Sequence, residues 1–283
     1  MIEIGLNAAA QHGFALAGGY AVQAHDVVDR VSEDVDLFAP YERRAEMNEA
    51  AEHTIQAYRA AGFAVATEVS TDTYVRMWVS DPATNPTGDQ EYATKVELVA
   101  TPLAHAPVQL SIGPVLHRDD IAAGKMGALY TRAAARDYID VASLLIGRHY
   151  TREELIDLAT ADDAGFDKTC FAQMLARITR FDDEDFLRYQ ITPEYLRDVR
   201  IQIAAWHREL VDGNRDPRGP TRQVRRDVAP APSQLNTHRR PCPGRAWLDA
   251  STPADRNRLQ RALPSTICWT LLRCKPSACP ILL

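Results

Sequence analysis

The sequence predicts an α+β fold, a mixed sheet with flanking helices followed by an all-helical region. Two patterns point to this. Short apolar or alternating runs bounded by turn residues recur between Phe14 and Ile112, as strands do. From Asp119 to Leu210 the apolar spacing turns helical, with start and stop signals in place. A third observation sets the limit of this pattern: after Asp212-Gly213 the composition changes and no period is sustained.

The elements follow in order. Residues 3–12 read as a short helix packed through Ile4, Leu6 and Ala8 to Ala10. Phe14 to Ala17 is a short buried strand, then comes a glycine turn and a helix from about Tyr20 to His25. Val35 to Phe38 is a second strand, broken by Pro40, and Glu42 to Ala61 is a helix ended by Gly62. Strands are expected at Phe63 to Val69, Tyr74 to Val79, Tyr92 to Val99 and Val108 to Ile112, with residues 81–89 as a polar hairpin turn. Helices are expected at Asp119 to Tyr130, Ala134 to Ile146, Phe166 to Arg180 and Pro193 to Leu210; Thr151-Arg152-Glu153-Glu154 starts another with a capping box. The expected divisions are an α/β core over 1–117, a helical region over 118–213 that completes the site, and a tail over 214–283.

The bulk numbers suit a globular protein: 283 residues, 46% hydrophobic and 25% charged, with no apolar run long enough to cross a membrane. The first residues lack the basic and apolar stretches of a signal peptide, so a cytoplasmic location is expected. Net charge is −6, but unevenly spread. Residues 1–213 hold nineteen Lys and Arg against thirty-four Asp and Glu, net −15; residues 214–283 hold thirteen against four, net +9. An acidic body disfavours broad nucleic-acid binding, so any such partner must use a local basic patch. The tail holds ten of the seventeen prolines and four of the five cysteines. That composition reads as disorder, or as out-of-frame translation of a GC-rich gene. Cys268, Cys274 and Cys279 lack the paired spacing of structural zinc sites. The uneven cysteine usage suits a reduced body more than a disulfide scaffold.

The chemistry concentrates in two stretches. In Ala17-Gly18-Gly19-Tyr20, a glycine pair opens a helix, where backbone N–H groups favour a phosphate. In Arg30-Val31-Ser32-Glu33-Asp34-Val35-Asp36-Leu37-Phe38, Asp34 and Asp36 fall two apart on a strand and aim at one spot. Two hard oxygen donors at that spacing suit Mg²⁺, which completes its shell with water and substrate phosphates. A third carboxylate normally comes from a neighbouring strand. Glu97, in Lys95-Val96-Glu97-Leu98-Val99, is the first choice and Asp72 the alternative. The bland reading of Glu97 is an exposed glutamate on a half-solvated sheet.

The second stretch runs from Gly124 to Asp140. If one helix runs through it, Lys125, Arg132 and Arg136 share a face that would bind triphosphate oxygens, Lys125 as a point charge and an arginine as a fork. The competing reading is a solvated helix face with Arg136 and Asp140 as an i,i+4 pair. Asp137 is open to two roles, a base or a group that orients an arginine. His25 could approach phosphates, though a helix-end role is the plainer reading. His12, His53, His105 and His117 lack partner spacing and read as structural. No Walker A loop or Gly-x-Ser-x-Gly elbow is present.

Taken in order, Gly-Gly, Arg-x-Ser-x-Asp-x-Asp-Leu, a third carboxylate strand and then the Lys…Arg…Arg-Asp-x₂-Asp block, the chain resembles the AbiEii/AbiGii nucleotidyltransferase toxins, minimal polymerase-β-like enzymes. The likeness is close over about 10–150, extends to about 212 by helical pattern, and leaves the tail unmatched. It implies a polymerase-β-like sheet with a helical C-terminal region, and transfer of NMP from an NTP with Mg²⁺. By the same likeness Gly18 and Gly19 hold the triphosphate with help from Arg30 or Ser32, Asp34, Asp36 and Glu97 hold the metal, Lys125 contacts phosphates, and Asp137 is functionally required. Gly19 stands where many such enzymes have a serine, which removes a hydroxyl and leaves the backbone donors. The acceptor implied is RNA, the tRNA 3′ end, with a cognate antitoxin as partner. The alternatives are the same chemistry on an antibiotic or protein hydroxyl, or nucleotide binding without turnover.

Overall fold

In a computed structural model, residues 1–213 are described. The expectations for 214–283 lie outside the described residues. Seven strands form one mixed sheet in the order β3-β4-β5-β2-β1-β7-β6. Their ranges are β1 Ala15–Leu16, β2 Asp34–Pro40, β3 Ala64–Ser70, β4 Tyr74–Ser80, β5 Thr94–Thr101, β6 Val108–Leu110 and β7 Gly113–Val115. The pairs β2/β5 and β1/β7 are parallel and the others antiparallel. The polar stretch after β4 is the expected hairpin, since β4 and β5 run antiparallel.

Helices α1 (Ile2–Ala10) and α3 (Met47–Ala60) pack on each other, and α3 also lies against β3, β4 and β5. Helix α2 (Gly18–Ala24) packs on β2 and on α4 (Arg118–Thr131). All the described strands precede Leu116, and the described α-helices after it are α4, α5 (Ala135–Ile146), α6 (Arg152–Asp162), α7 (Lys168–Ala176), α8 (Glu184–Leu187) and α9 (Pro193–Gly213). Thr151 and Glu154 close the expected capping box at α6. The buried side chains form one cluster, from Leu6 through Leu37, Val96 and Tyr138 to Trp206. No described helix is long and apolar enough to cross a membrane.

Two local expectations are corrected. The helix after Pro40 begins as a 3₁₀ turn over Tyr41–Glu46 and becomes α-helical only at Met47. The stretch from Gly124 to Asp140 is not one helix: α4 ends at Thr131, Ala133 takes a left-handed conformation (φ 49°), and α5 starts at Ala135. A left-handed alanine costs on the order of 1 kcal/mol, and neither Gly nor Pro marks it in the sequence.

Candidate active site

Strand β2 alternates as the sequence predicts, with Val35, Leu37 and Ala39 buried and Asp34, Asp36 and Phe38 on the other face. Parallel pairing with β5 sets Asp34 opposite Lys95 and Asp36 opposite Glu97, and antiparallel β4 sets Arg76 opposite Glu97. A row Asp36–Glu97–Arg76 therefore crosses three strands. Asp72 lies in the exposed turn before β4, at the far end of β5.

Glu97 is fully buried. Its Oε1 accepts from the Tyr74 hydroxyl at 2.5 Å and Arg76 Nε at 2.9 Å, and lies 3.4 Å from Lys95 Nζ. Its Oε2 has no hydrogen-bond partner. Burial acts to raise the Glu97 pKa, but Lys95, Tyr74 and Arg76 outweigh it and hold it below the ordinary value. Asp36 goes the other way: burial first, then the Glu97 carboxylate, push it up to about 6. Lys95 Nζ also lies 3.2 Å from Asp34 Oδ2, and Arg136 Nη1 reaches the same oxygen at 3.4 Å.

The glycine pair is pressed against these groups. A Cβ on Gly18 would lie 1.7 Å from Asp36 Oδ2, and Gly18 also has φ 63°. A Cβ on Gly19 would lie 2.3 Å from Ser32 Oγ and 3.2 Å from Arg30 Nη2. Both positions need glycine because the start of α2 touches the side chains after it. The Tyr20 hydroxyl donates to the Ser32 carbonyl at 2.6 Å and fixes that loop. A pocket of about 310 Å³ opens beside it, lined by Tyr20, Gln23, Asp29, Arg30 and Ser32.

The other site residues are placed differently. Asp140 is fully buried between Arg30, which donates to both its oxygens at 2.5 and 2.8 Å, and Lys125 Nζ at 2.7 Å. Burial would raise Asp140, but these cations hold it far below the usual carboxylate range. Burial lowers the Lys125 pKa, against the pull of Asp140. Arg132 forks onto buried Asp137 at 2.9 and 2.8 Å, and the Ala134 N–H donates to the same carboxylate. Burial opposes ionisation of Asp137, yet Arg132 and Arg136 keep its pKa below normal.

The structure thus brings together Asp34, Asp36, Glu97, Gly18, Gly19, Arg30, Ser32 and Arg136, with Lys125 near enough to lower the Asp36 pKa. It does not form the expected single stripe, because the break at Ala133 puts Lys125 and Arg136 on different helices. The Arg136–Asp140 pair is replaced by Arg30–Asp140 and Lys125–Asp140. His25 caps α2 and bonds the Leu116 carbonyl at 2.9 Å. Sequence reasoning missed Lys95, Arg76 and Tyr74. Lys95 was findable, since Lys-Val-Glu on a strand puts Lys95 on the face of Glu97. It also missed that His12 meets His53, and His105 meets His117.

A divalent cation fits the carboxylate cluster on two observations. Glu97 Oε2 is buried without a partner, and an unpaired oxygen of that kind costs about 1–3 kcal/mol unless something occupies it. The donors are hard oxygens, and Gly18 leaves space at Asp36 that any side chain would fill.

Carboxylates aligned across strands beside a tight glycine turn suit metal-assisted chemistry on a phosphate. The family comparison takes the assignment further: the family described as nucleotidyl transferase AbiEii toxin, type IV toxin–antitoxin system, matches residues 6–223, and the chain belongs to that family. Among solved structures, JHP933 from Helicobacter pylori is similar at 18% identity over 75% of this chain and 93% of that one, with a TM-score of 0.43. A second H. pylori protein, described as a candidate nucleotidyltransferase, is similar at 17% identity over 75% and 96% of the two chains, TM-score 0.44. No curated protein sequence matches the chain.

Proposed function

We propose that this enzyme transfers NMP from an NTP to an acceptor hydroxyl of RNA, the tRNA 3′ end, with Mg²⁺ held by Asp34, Asp36 and Glu97. The observation that carries the metal role is the buried, unpartnered Glu97 Oε2 in register with Asp36. Bound there, Mg²⁺ would neutralise phosphate charge and align nucleophile with phosphorus.

The chain's own groups do the rest. Backbone N–H groups at Gly18 and Gly19 approach the triphosphate closely because neither residue has a side chain. Arg136, already beside Asp34, supplies a cation to the phosphates, and Lys125 and Arg30 add positive potential from behind Asp140. Arg132 and Asp137 act as a pair, Asp137 fixing the start of α5 so that Arg136 points at Asp34. The pocket beside Ser32, of a size suited to a nucleoside, takes the base and ribose. A carboxylate of the row accepts the proton of the acceptor hydroxyl. On this reading the strands over 1–117 supply carboxylates and the helices over 118–213 supply cations.

The RNA acceptor rests on family membership, and the net charge of −15 over 1–213 restricts it to a small footprint such as a 3′ end. The type IV toxin family supplies the expectation of an antitoxin partner. The test is incubation with Mg²⁺, each α-labelled NTP in turn and total RNA, beside Asp34→Ala/Asp36→Ala. Label entering a tRNA-sized band only with both aspartates present supports the proposal. NTP binding without label transfer to RNA moves the acceptor to a small molecule or protein hydroxyl, or leaves binding without turnover.

A further inference from the structure

Among the described residues a second set of metal-ligating side chains sits away from the carboxylate row. His12 follows α1, and Glu49 and His53 lie four apart on one face of α3. One ligand atom from each lies within 4.8 Å of the other two. His12 is 6% exposed, His53 partly exposed and Glu49 exposed, so the cluster has a buried side and an open side.

The two imidazoles converge. His12 Nε2 lies 2.8 Å from His53 Nδ1, and Gln11 Nε2 lies 2.9 Å from that same Nδ1. With the Gln11 amide nitrogen donating to His53 Nδ1, the proton between the rings sits on His12 Nε2. On the other side of the ring, His12 Nδ1 faces Glu46 Oε2 at 3.5 Å. In neutral His12 that arrangement sets a lone pair against a carboxylate. Moving the ring proton to Nδ1 removes the conflict and frees Nε2, and it gives His12 the carboxylate partner that orients imidazole ligands in metal sites. Arg43 already pairs with Glu46 at 2.7 Å, so that carboxylate is held in place.

We propose that His12 Nε2, His53 Nδ1 and the Glu49 carboxylate bind a borderline divalent cation, Zn²⁺ in the first instance, with solvent in the fourth position. Two imidazoles and one carboxylate suit zinc over Mg²⁺. Binding moves the proton held between the rings to His12 Nδ1, where Glu46 accepts it, so no net proton is released. Two nitrogens on tetrahedral zinc stand about 3.3 Å apart, so the rings need to part by roughly 0.5 Å. The site lies at the opposite end of β1 and β2 from Asp34, across ~20 Å of strand. It ties the chain entering β1 to the helix that follows β2, which is a structural role independent of nucleotide transfer. The cluster of His105, His117 and Asp119 is the weaker candidate, because His117 Nδ1 already accepts the Asp119 N–H.

The test uses the full metal-stripped chain with Asp34→Ala/Asp36→Ala, so that the carboxylate row cannot bind. Zn²⁺ is titrated calorimetrically and Co²⁺ by visible absorption, in excess Mg²⁺. The partly exposed His53 keeps His53→Gln folded, which circular dichroism checks, and the difference between the two proteins separates this site from the cysteines over 242–279. The expected result is one more equivalent of Zn²⁺ in the parent than in His53→Gln, with a rise in melting temperature confined to the parent. Glu46→Gln, which keeps all three ligands, should weaken that equivalent by about 10–100-fold. Equal stoichiometry in the parent and His53→Gln, or unchanged affinity in Glu46→Gln, overturns the proposal.

Discussion

The carboxylate row on the sheet and the carboxylates on α5 handle buried charge in opposite ways. Asp140 has both oxygens committed to Arg30 and Lys125, and Asp137 has both committed to Arg132 and the Ala134 N–H. Both are held below their ordinary pKa. On the sheet, Glu97 keeps one oxygen without a partner, and Asp36 is pushed up to about 6 by burial and its acidic neighbours. Fully paired charge holds a fold together, whereas a buried carboxylate oxygen left without a partner, beside a carboxylate with a raised pKa, marks a candidate binding site.

The sharpest way to break that contrast is to remove each set. Asp34→Ala/Asp36→Ala should lower nucleotide transfer by about 10³-fold or more with no loss of stability, read by label transfer and urea unfolding. Asp140→Ala should instead cost about 3–5 kcal/mol of stability, because Arg30 and Lys125 are left buried without their anion. If the sheet variant unfolds and the Asp140 variant does not, the assignment of roles is reversed.

Arg132 and Arg136 sharpen the comparison at smaller scale. They are four residues apart, yet one forks onto Asp137 and the other reaches Asp34. Arg136→Ala should raise the KM for NTP by roughly tenfold, the worth of one partly buried charge-assisted contact, with little change in the urea midpoint. Arg132→Ala leaves Asp137 buried beside Arg136 alone and should cost about 1–3 kcal/mol of stability with a smaller effect on KM. Equal KM effects would restore the single cationic stripe that the sequence suggested.

That stripe shows where the sequence stopped being legible. Local patterns translated well: the alternation of Val35 and Leu37 with Asp34 and Asp36 gave the strand, its face and the carboxylate pair, and Thr151 with Glu154 gave a helix start. The break at Ala133 left no residue signal, because alanine is an ordinary helix former and only tertiary packing holds it left-handed. The Arg30–Asp140 pair joins residues 110 apart and the His12–His53 contact residues 41 apart, which no local spacing encodes. Glu97 was identified as a candidate, but its register against Asp36 and the cations on Oε1 needed the sheet.

The smallest predicted effect tests the crowding directly. Asp36 has a folded-state pKa of about 6, above its ordinary value of 3.8. The folded protein therefore binds more protons than the unfolded chain between those values, and stability falls as pH rises through that window. In metal-free protein, Asp36 should add stability near pH 4 that is lost by pH 7. Carboxylates held below their ordinary pKa, such as Asp140, act in the opposite sense at lower pH, so the contribution of Asp36 is read as a difference. Asp36→Asn removes the titrating group: it should be more stable than the parent at pH 7, and the gap should close towards pH 4. Saturating Mg²⁺ should close the same gap at pH 7, because a bound cation stabilises only the protein that still carries the carboxylate. A gap that does not change with pH would mean that Asp36 is not crowded, and the contrast between sheet and helices would then rest on Glu97 alone.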